Sequence, residues 1–583
     1  MVNERLDKLR EKMEELGIDL YYFNTTDYHM SEYVPEYFKT IRYFSGFSGS
    51  LATLLVGKEE AVIFVDGRYH LQAERECEPN GIKVVKLGTE GALEPVDYIK
   101  EYYPHKLLGI DGKRTSVSFA KKLLKEKIRI SDNDIYSDII EDRAPLKDGE
   151  IFELEEKYTG LSRKQKLDMM YYCLSDKVHV LSNLESIAYL LNLRGSDITY
   201  TPVFMAYMVI MDKDTYLFCD IKRFSAELLD ELYADGVIIR PYDSYYSFLK
   251  DIKGRKILLD EEKINYTTYT SLAFNRIMNM RSIVEDMKAI KNPIEQENMK
   301  LAHIYDGVAI LRFYMWLDGI DKRTINEYDA AKMISKFRLD YKAFDLSFNP
   351  IVAYNENAAQ MHYSATEDNA KQLDNKGILL MDTGGQYYEG TTDITRTISL
   401  GEVDPEIRRW FTIVLKSMFN LSEAVFLKGV ASNQIDILAR KDIWKQGVNY
   451  RCGTGHGVGQ TLAVHERIPN IRFSNNPEGT ENVELKPGMI TSDEPGVYFD
   501  NLFGIRCENM LLCKTMYENE YGEFLGFEHL TMVPFDLDLI DKKYLDEDTV
   551  NAINRYHETV YLTLLPYLNE EEAQYLRKKT MPL

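Results

Sequence analysis

Cysteine is scarce in this chain, and so are paired cysteine spacings. Six cysteines occur among 583 residues, and none forms a C-x-x-C motif. A disulfide framework is therefore not expected in so large a chain, and neither is a structural zinc site built from several Cys and His. The unpaired thiols fit a reducing compartment, which predicts a cytoplasmic protein.

Long apolar runs are also missing. The most apolar later stretch, VAILRFYMWL at 308–317, is interrupted by Arg312 and falls far short of the roughly 20 residues that span a bilayer. The N-terminus carries charges throughout and has no apolar core of the kind found in signal peptides. We therefore expect neither a membrane span nor a secretory leader.

Positive charge is in deficit. There are 71 Lys and Arg against 93 Asp and Glu, a net charge of −22. This balance argues against a nucleic-acid footprint and against binding to anionic membranes, so no nucleic acid and no membrane is expected among the partners. The acidic surface is interpreted as solubilising.

The length and the pattern of the chain predict three domains. At roughly 100 to 200 residues a domain, 583 residues exceed one core. Helices alternate with β-rich runs up to a polar segment at 142–160, and again up to about residue 290. We expect α/β domains at 1–155 and 156–290, then a third domain at 291–583 that begins with a long helix and ends in a helical tail. SGFSGS and NLRGSD hint that the first two arose by duplication.

Four carboxylates and one histidine mark the most informative stretch, Gly377 to Glu508. It contains ILLMDTGGQYYEGTTDITRT, GTGHGVG, MITSDEPGVY and GIRCENMLL. Oxygen ligands with a single imidazole suit a pair of hard divalent cations such as Mn or Mg, and the one nitrogen leaves room for Co, Fe or Zn. The candidate ligands are Asp382, Asp393, His456, Glu494 and Glu508.

The spacing of the carboxylates predicts that they converge. Asp382 follows an apolar run and Asp393 precedes a β-prone one, with a glycine-rich turn between them, so a hairpin would let the two Asp side chains face each other. Glu494 and Glu508 repeat the arrangement around a Pro-Gly turn. Strand alternation places Arg506 on the same face as Glu508.

The simplest alternative for any one of these carboxylates is solvation, because Asp and Glu are mostly exposed. Their placement at the ends of apolar strands favours a site instead. GTGHGVG is not a nucleotide loop, because no register of G-x-G-x-x-G fits it. Its glycines are expected to let the backbone pass close to a metal-bound substrate.

These residues resemble those of the pita-bread metallopeptidases, and most closely the long, three-domain, cytosolic Xaa-Pro aminopeptidases. Further matching motifs are FSGFSGS at 44–50, VDGRY at 65–69, LSFNPIVA at 346–353, MHYS at 361–364 and AVHE at 463–466. The resemblance implies an α/β (α+β) chain with two creatinase-like N-terminal domains, a C-terminal pita-bread catalytic domain and a homodimer formed through that domain.

The resemblance also implies a reaction. A hydroxide held between two metal ions, Mn²⁺ by expectation with Zn²⁺ or Co²⁺ as alternatives, attacks the scissile carbonyl of a peptide with proline in its second position. Asp393 and Glu508 would bridge both ions, Asp382 would complete one, and His456 and Glu494 the other. Glu494 would also take up the proton of the water.

The family motifs assign roles to four more residues. His362 in MHYS and His465 in AVHE match substrate-binding and proton-handling histidines. Arg506 and Tyr498 would orient the ligand Asp382 without binding the metal ions themselves. The alternatives are packed or solvated histidines and an ordinary ion pair. Cys452 stands where animal members carry a histidine, and we interpret it as a buried small residue rather than a soft ligand.

Two other functions remain open at this stage. A prolidase would cleave only X-Pro dipeptides, and a non-catalytic binding module could use the same fold. The binding modules of this fold have lost the ligands, whereas this chain keeps all five.

Overall fold

The computed structural model describes residues 2–473 and 482–583. Contacts between residues divide the chain into two compact units, one formed by residues 1–154 and 161–284 and the other by 155–160 and 285–583. Within the polar stretch at 142–160, residues 142–154 belong to the first unit and residues 155–160 to the second. Each unit has its own sheets and core.

The first half of the first unit is a six-stranded sheet with helices around it. Side chains along its central strands alternate between two apolar clusters, so that Tyr21 and Phe23 join one and Leu20 and Tyr22 the other. Both faces of this sheet are therefore buried. In spatial order its strands are Lys83–Lys86, Ala61–Val65, Thr53–Gly57, Leu20–Asn24, Leu107–Ile110 and Arg129–Asp132, and its helices are Val2–Glu15, Thr40–Ser45, His70–Cys77, Pro95–Tyr102 and Val117–Lys125.

The second half of this unit repeats the topology. In each sheet the first long strand in chain order lies in the centre. It pairs antiparallel with the next long strand on one side and parallel with a later strand on the other, and the strand at each edge is parallel to its neighbour. The shared order supports the hypothesis of duplication. The strands are, in spatial order, Val237–Arg240, Asp214–Phe218, Tyr207–Met211, Val178–Leu181, Lys256–Leu259 and Arg276–Asn279, and the helices are Arg163–Leu174, Leu184–Leu191, Ala226–Ala234, Tyr245–Asp251 and Tyr266–Ser271; Phe152–Glu153 pairs with Leu193–Arg194.

The two halves meet at equivalent positions. Ser116 and Asn265, each the N-cap of the helix that follows it, form an isolated antiparallel bridge. The hydrogen bonds beside them are reciprocal: the Val117 amide donates to the Ile264 carbonyl at 3.0 Å, and the Tyr266 amide to the Thr115 carbonyl at 2.8 Å. The contact therefore has the form of a local two-fold axis.

The second unit starts with the long helix expected from the sequence, Pro293–Asp318. Its N-cap Asn292 accepts hydrogen bonds from two helix amides, and Glu295 reaches back to the Asn292 amide, which completes a capping box. The other helices of this unit are Glu156–Thr159, Glu327–Leu339, Pro405–Ser422, Ser432–Trp444, Glu547–Leu564 and Glu570–Lys579, and Ile283–Ala289 precedes the long helix.

Three β structures carry the site. A three-stranded antiparallel sheet is ordered Ile351–Tyr354, Ile378–Thr383, Ile394–Ser399. A six-stranded sheet is ordered Phe426–Leu427, Gly522–His529, Asn509–Asn519, Ile490–Asp493, Gly455–Gly457, Glu466–Ile471. A hairpin pairs Gly496–Phe499 with Phe503–Arg506, and the short strands Asp345–Leu346 and Gly385–Gln386 pair separately.

The fold class predicted from the sequence is confirmed. The N-terminal helix buries Leu6, Leu9 and Met13 and is followed by Gly17 in the left-handed region, while Leu16 lies beyond the helix and is 50% exposed. Within residues 2–473 and 482–583 we find no helix with the length and hydropathy needed to cross a membrane.

Candidate metal centre

Each of the five candidate ligands lies on or beside a β-strand of the second unit. Asp382 is within Ile378–Thr383, Asp393 immediately precedes Ile394–Ser399, and His456 is the middle residue of Gly455–Gly457. Glu494 follows Ile490–Asp493, and Glu508 precedes Asn509–Asn519. The sequence patterns therefore located the strand ends that converge.

The hairpin register corrects one expectation. Asp382 is paired with Thr395 and not with Asp393, so the prediction that the two Asp residues face each other is wrong. Asp393 lies two residues before Thr395, which makes it a diagonal neighbour on the same face, still within reach. For the second pair, Asp493 is paired with Asn509, and continuing that register by one residue sets Glu494 opposite Glu508.

The ligand-type atoms form one cluster. Asp382, Asp393 and Glu508 each offer an oxygen within 4.8 Å of the other two, and His456, Glu494 and Glu508 do the same. His456 Nε2 lies 3.3 Å from Glu494 Oε1 and 3.5 Å from Asp393 Oδ2. Among the described residues, all groups of this kind fall on these five residues and His465.

Burial and mutual repulsion raise the pKa of three carboxyls in the cluster. For Asp393, burial and the charges of Glu508 and Asp382 raise the pKa well above its usual value, and for Glu508, burial acts with Glu494 and Asp382. Burial also raises the pKa of Asp382, against the opposing charge of Arg506. The protein alone does not neutralise its own negative charge here.

The pKa values of His456 and Glu494 are shifted in opposite directions, and both shifts favour an ion pair between the two residues. Burial lowers the pKa of His456, but the hydrogen bond and charge of Glu494 outweigh it and raise the pKa to about 9. Burial raises the pKa of Glu494, and His456 outweighs that effect, so the net pKa lies below its ordinary value.

Two unsatisfied atoms show that these residues fit divalent cations. Asp382 Oδ1 and Glu508 Oε1 are buried without a hydrogen-bond partner. A buried carboxylate oxygen without a donor is costly, and a cation in the cluster would satisfy both. Oxygen-rich donors with one imidazole match Mn, Co, Fe or Zn.

Arg506 and Thr395 fix the outer oxygens of two candidate ligands. Arg506 Nη2 donates to Asp382 Oδ2 at 2.5 Å, and Nη1 donates to the Tyr498 hydroxyl at 2.7 Å. Thr395 Oγ1 donates to Glu508 Oε2 at 2.8 Å and accepts from Arg506 Nε at 3.0 Å. Tyr498 therefore reaches Asp382 through Arg506 and not directly.

The sequence reasoning missed Ser492. Its hydroxyl accepts from the His456 amide at 2.9 Å and donates to Glu494 Oε1 at 3.2 Å, so it ties two candidate ligands together. The signal was present, because Ser492 stands two residues before Glu494 and strand alternation puts both on one face. The Nδ1 of His456 donates to the Gly457 carbonyl at 2.9 Å, which turns Nε2 toward the carboxylates of the cluster.

Two glycines of GTGHGVG allow neighbouring strands to approach closely. A Cβ on Gly455 would meet the Ser492 carbonyl oxygen at 2.0 Å, and one on Gly457 would meet the Ile468 carbonyl oxygen at 2.3 Å. Packing within the six-stranded sheet therefore requires glycine at both positions, and the expected approach to a substrate stays a prediction.

His465 lies beside the cluster, and His362 lies on a separate loop. The His465 ring packs edge-on against His456, with centroids 4.4 Å apart, and one of its nitrogens falls within 4.8 Å of ligand atoms of Asp393 and His456. His362 is half-buried after the short helix Asn355–Ala359 and belongs to none of the ligand groups found among the described residues.

Cys452 is half-buried and lies close enough to Glu494 and Arg506 for their charges to act on the pKa of its thiol. Burial raises the pKa of its thiol to about 11, so it is protonated at neutral pH. Its carbonyl accepts from Arg440 Nη2 at 2.9 Å, and its side chain packs on an apolar cluster. Cys452 is in none of the ligand groups.

Comparison with known proteins covers the whole chain. Models of the creatinase/prolidase N-terminal domain match residues 5–137 and 142–295, the model of metallopeptidase family M24 matches 297–515, and that of the C-terminal region of peptidase M24 matches 523–583. The fold and the carboxylate-rich cluster therefore define a hydrolase of metallopeptidase family M24.

Similarity to individual proteins narrows this class. A probable Xaa-Pro aminopeptidase P of Coprinopsis cinerea is 35% identical over 100% of this chain and 98% of its own length, and one of Aspergillus oryzae is 33% identical over 100% and 93%. The X-prolyl aminopeptidase of Caenorhabditis elegans, described as a cytosolic enzyme with a di-nuclear active site, superposes with a TM-score of 0.94 at 28% identity over 100% of both chains. This chain belongs to the Xaa-Pro aminopeptidase family within M24.

Proposed function

We propose that this protein is a metal-dependent aminopeptidase that releases the N-terminal residue from peptides with proline in the second position. The observation that carries the proposal is the cluster of Asp382, Asp393, His456, Glu494 and Glu508 in a chain that aligns from end to end with Xaa-Pro aminopeptidases. A non-catalytic binding module would have no use for two orphaned buried carboxylate oxygens.

The five residues would hold two divalent cations, with Mn²⁺ as our proposal for the native metal. Asp393 and Glu508 share the centre of the cluster and would contact both ions, Asp382 would complete one ion, and His456 and Glu494 the other. Cations bound there supply charge that acidifies a water molecule and polarises a peptide carbonyl.

The remaining chemistry belongs to side chains around the cluster. Glu494, which contacts Ser492 and His456, would take a proton from the water and pass it toward the leaving nitrogen. His465 and His362 would bind the substrate and donate hydrogen bonds to it. Arg506 and, through it, Tyr498 would hold Asp382 in one orientation.

Preference for proline requires a site that does not depend on an amide hydrogen after the scissile bond, because proline has none. The free amine of the first residue would bind beside the cations, which makes the enzyme an aminopeptidase. These two requirements can be tested separately.

The decisive experiment compares three peptides with Mn²⁺ present: X-Pro-Y, X-Pro and N-acetylated X-Pro-Y. We expect release of the first residue from X-Pro-Y and no cleavage of the acetylated peptide. X-Ala-Y is the matched control that tests whether the proline ring in the second position is required. Cleavage of X-Pro in preference to X-Pro-Y would identify a prolidase instead, and cleavage of none would leave only a binding role.

We further propose a cytoplasmic homodimer that associates through the catalytic domain, and domain boundaries near residues 155 and 290. The cytosolic C. elegans relative supports the location. Analytical ultracentrifugation of the full chain tests the dimer, and limited proteolysis tests the boundaries.

A further inference from the structure

The loop that carries His362 is held by one buried carboxylate. We define the His362 loop as residues 355–371. Glu327, the first residue of the helix Glu327–Leu339, is fully buried, and within residues 2–473 and 482–583 the donors to its carboxylate all lie on or beside this loop. We propose that Glu327 is a positioning residue that fixes the His362 loop, and this proposal rests on the substrate-binding role assigned to His362.

The contacts tie the carboxylate to both ends of the loop. At the start of the loop, the Tyr354 amide donates to Oε1 at 2.6 Å, and the Asn357 amide group donates to Oε1 at 3.0 Å and Oε2 at 3.1 Å. At the end, the Lys371 amide donates to Oε2 at 2.7 Å, and the Glu327 amide donates back to the Lys371 carbonyl at 3.1 Å.

One contact reaches the neighbour of His362 itself. The Tyr363 hydroxyl donates to Glu327 Oε2 at 2.7 Å, and Tyr363 is 7% exposed while His362 is only half-buried. The tyrosine therefore anchors the middle of the loop in the interior, directly beside the half-buried His362.

The chemistry of the contacts requires a carboxylate. All five hydrogen bonds to Glu327 come from N–H or O–H donors, and none comes from an acceptor. Glutamine has the same shape but would turn an NH₂ group toward at least one donor, which leaves that donor unsatisfied in the interior. The helix N-terminus further favours a negative charge at this position.

A functional consequence follows from this geometry. Apart from Glu327, the His362 loop is held by the apolar cluster that Ala358 and Tyr363 join and by surface contacts such as the pair between Lys371 and Glu356, whose side chains are 38% and 41% exposed. Freeing the loop from Glu327 would displace His362 while leaving the strands that carry the cluster in place. A displacement of about 1 Å in a group that orients substrate costs roughly a hundredfold in rate.

The experiment is a double-mutant cycle on metal-loaded enzyme with an X-Pro-Y peptide, using Glu327→Gln, His362→Ala and the double variant. We expect E327Q to lose about a hundredfold in kcat/KM, to divide the loss between kcat and KM as H362A does, and to keep its metal content. In the H362A background we expect E327Q to cost less than about threefold, because residues that act through one another are not additive.

Two further variants keep the test decisive. Tyr363→Phe removes a single donor and leaves the carboxylate intact, so if E327Q does not fold, the same cycle is run with Y363F, for which we expect a smaller loss that again disappears in H362A. Glu356→Gln removes only the exposed ion pair of the same loop and should keep the wild-type rate.

Each outcome decides one question. If E327Q or Y363F is slow by the same factor with and without His362, or loses metal, the positioning role is overturned even though the proposed function stands. If H362A alone turns over normally, the role of His362 in the proposed function is wrong, and the positioning claim falls with it.

Discussion

At the scale of single residues, we expect the carboxylates proposed to bridge the cations to have opposite effects on metal binding and on folding. Glu508→Gln removes a charge that two cations would share, so we expect loss of metal and of turnover. Because burial and repulsion hold the pKa of Glu508 well above its usual value, the same change relieves strain in the metal-free protein. Its metal-free melting temperature should equal or exceed that of the wild type.

Elemental analysis and a thermal melt measure both effects of Glu508→Gln. Asp493→Asn is the matched control: Asp493 is buried one residue from Glu494 but belongs to none of the ligand groups, so it should keep its metal. Full dimetal occupancy with normal turnover in E508Q would remove Glu508 from the site.

His465 and Cys452 are expected to behave differently. His465→Ala would remove the donor that we propose for the substrate, and single donors of this kind are worth about 2.7 to 4 kcal/mol, or roughly a hundred- to thousandfold in rate. Cys452→Ala replaces a protonated, half-buried thiol by a similar small residue and should cost less than about tenfold. Metal content and kcat are measured on both; normal turnover in H465A, or lost metal in C452A, would mean that the two roles are reversed.

Metal binding should strengthen as pH rises. In the metal-free site the folded-state pKa of His456 is about 9, above its ordinary value of 6.5, so the folded state holds an extra proton, and the stability that this proton contributes is lost as pH rises from about 6.5 to 9. The raised pKa values of Asp393 and Glu508 act in the same direction, because these carboxyls also hold extra protons in the folded state. Cations must displace these protons.

A series of thermal melts with and without Mn²⁺ checks this pH dependence. The increase in melting temperature on adding metal should grow between pH 6.5 and 9, the interval set by His456, and level off above it. A shift that shrinks over this interval would contradict the protonation states inferred for the cluster.

At the scale of secondary-structure elements, helix capping gives a prediction about stability. Asn292→Ala removes the side-chain oxygen that accepts from Ile294 and Glu295 at the start of the long helix. Loss of such a cap costs about 1 kcal/mol, within a range of roughly 0.5 to 2. Urea unfolding measures the change, and Asn292→Asp, which keeps an acceptor, should recover most of it. Equal losses in both variants would show that the cap does not matter.

Elements with a strong pattern could be predicted from the sequence, and registers could not. The strands Tyr207–Met211 and Val237–Arg240 and the helix Pro293–Asp318 follow directly from apolar runs and caps. The pairing of Asp382 with Thr395 depends on how the chain between the two strands folds, which no local pattern encodes. The contact of Ser492 with His456, 36 residues away, and those of Glu327 with the loop 27 to 44 residues further on likewise needed the structure.

At the scale of the whole molecule, the two units should respond differently to metal. All five candidate ligands belong to the second unit, and each unit has its own apolar core. A ligand at a hundred times its dissociation constant stabilises the state that binds it by about 2.7 kcal/mol. We therefore expect two calorimetric transitions of which only one moves when Mn²⁺ is added or chelated. Equal movement of both would mean that the units unfold together.

The reciprocal contact of Ser116 and Asn265 has a consequence for the origin of the first unit. A contact in which equivalent residues meet and exchange equivalent hydrogen bonds is what two identical chains form when they associate. The two halves also share one strand order, which is the arrangement expected if a symmetric pair of copies became joined in one polypeptide. Joining two such copies makes their encounter intramolecular, so the shared surface would persist while the two sequences diverge.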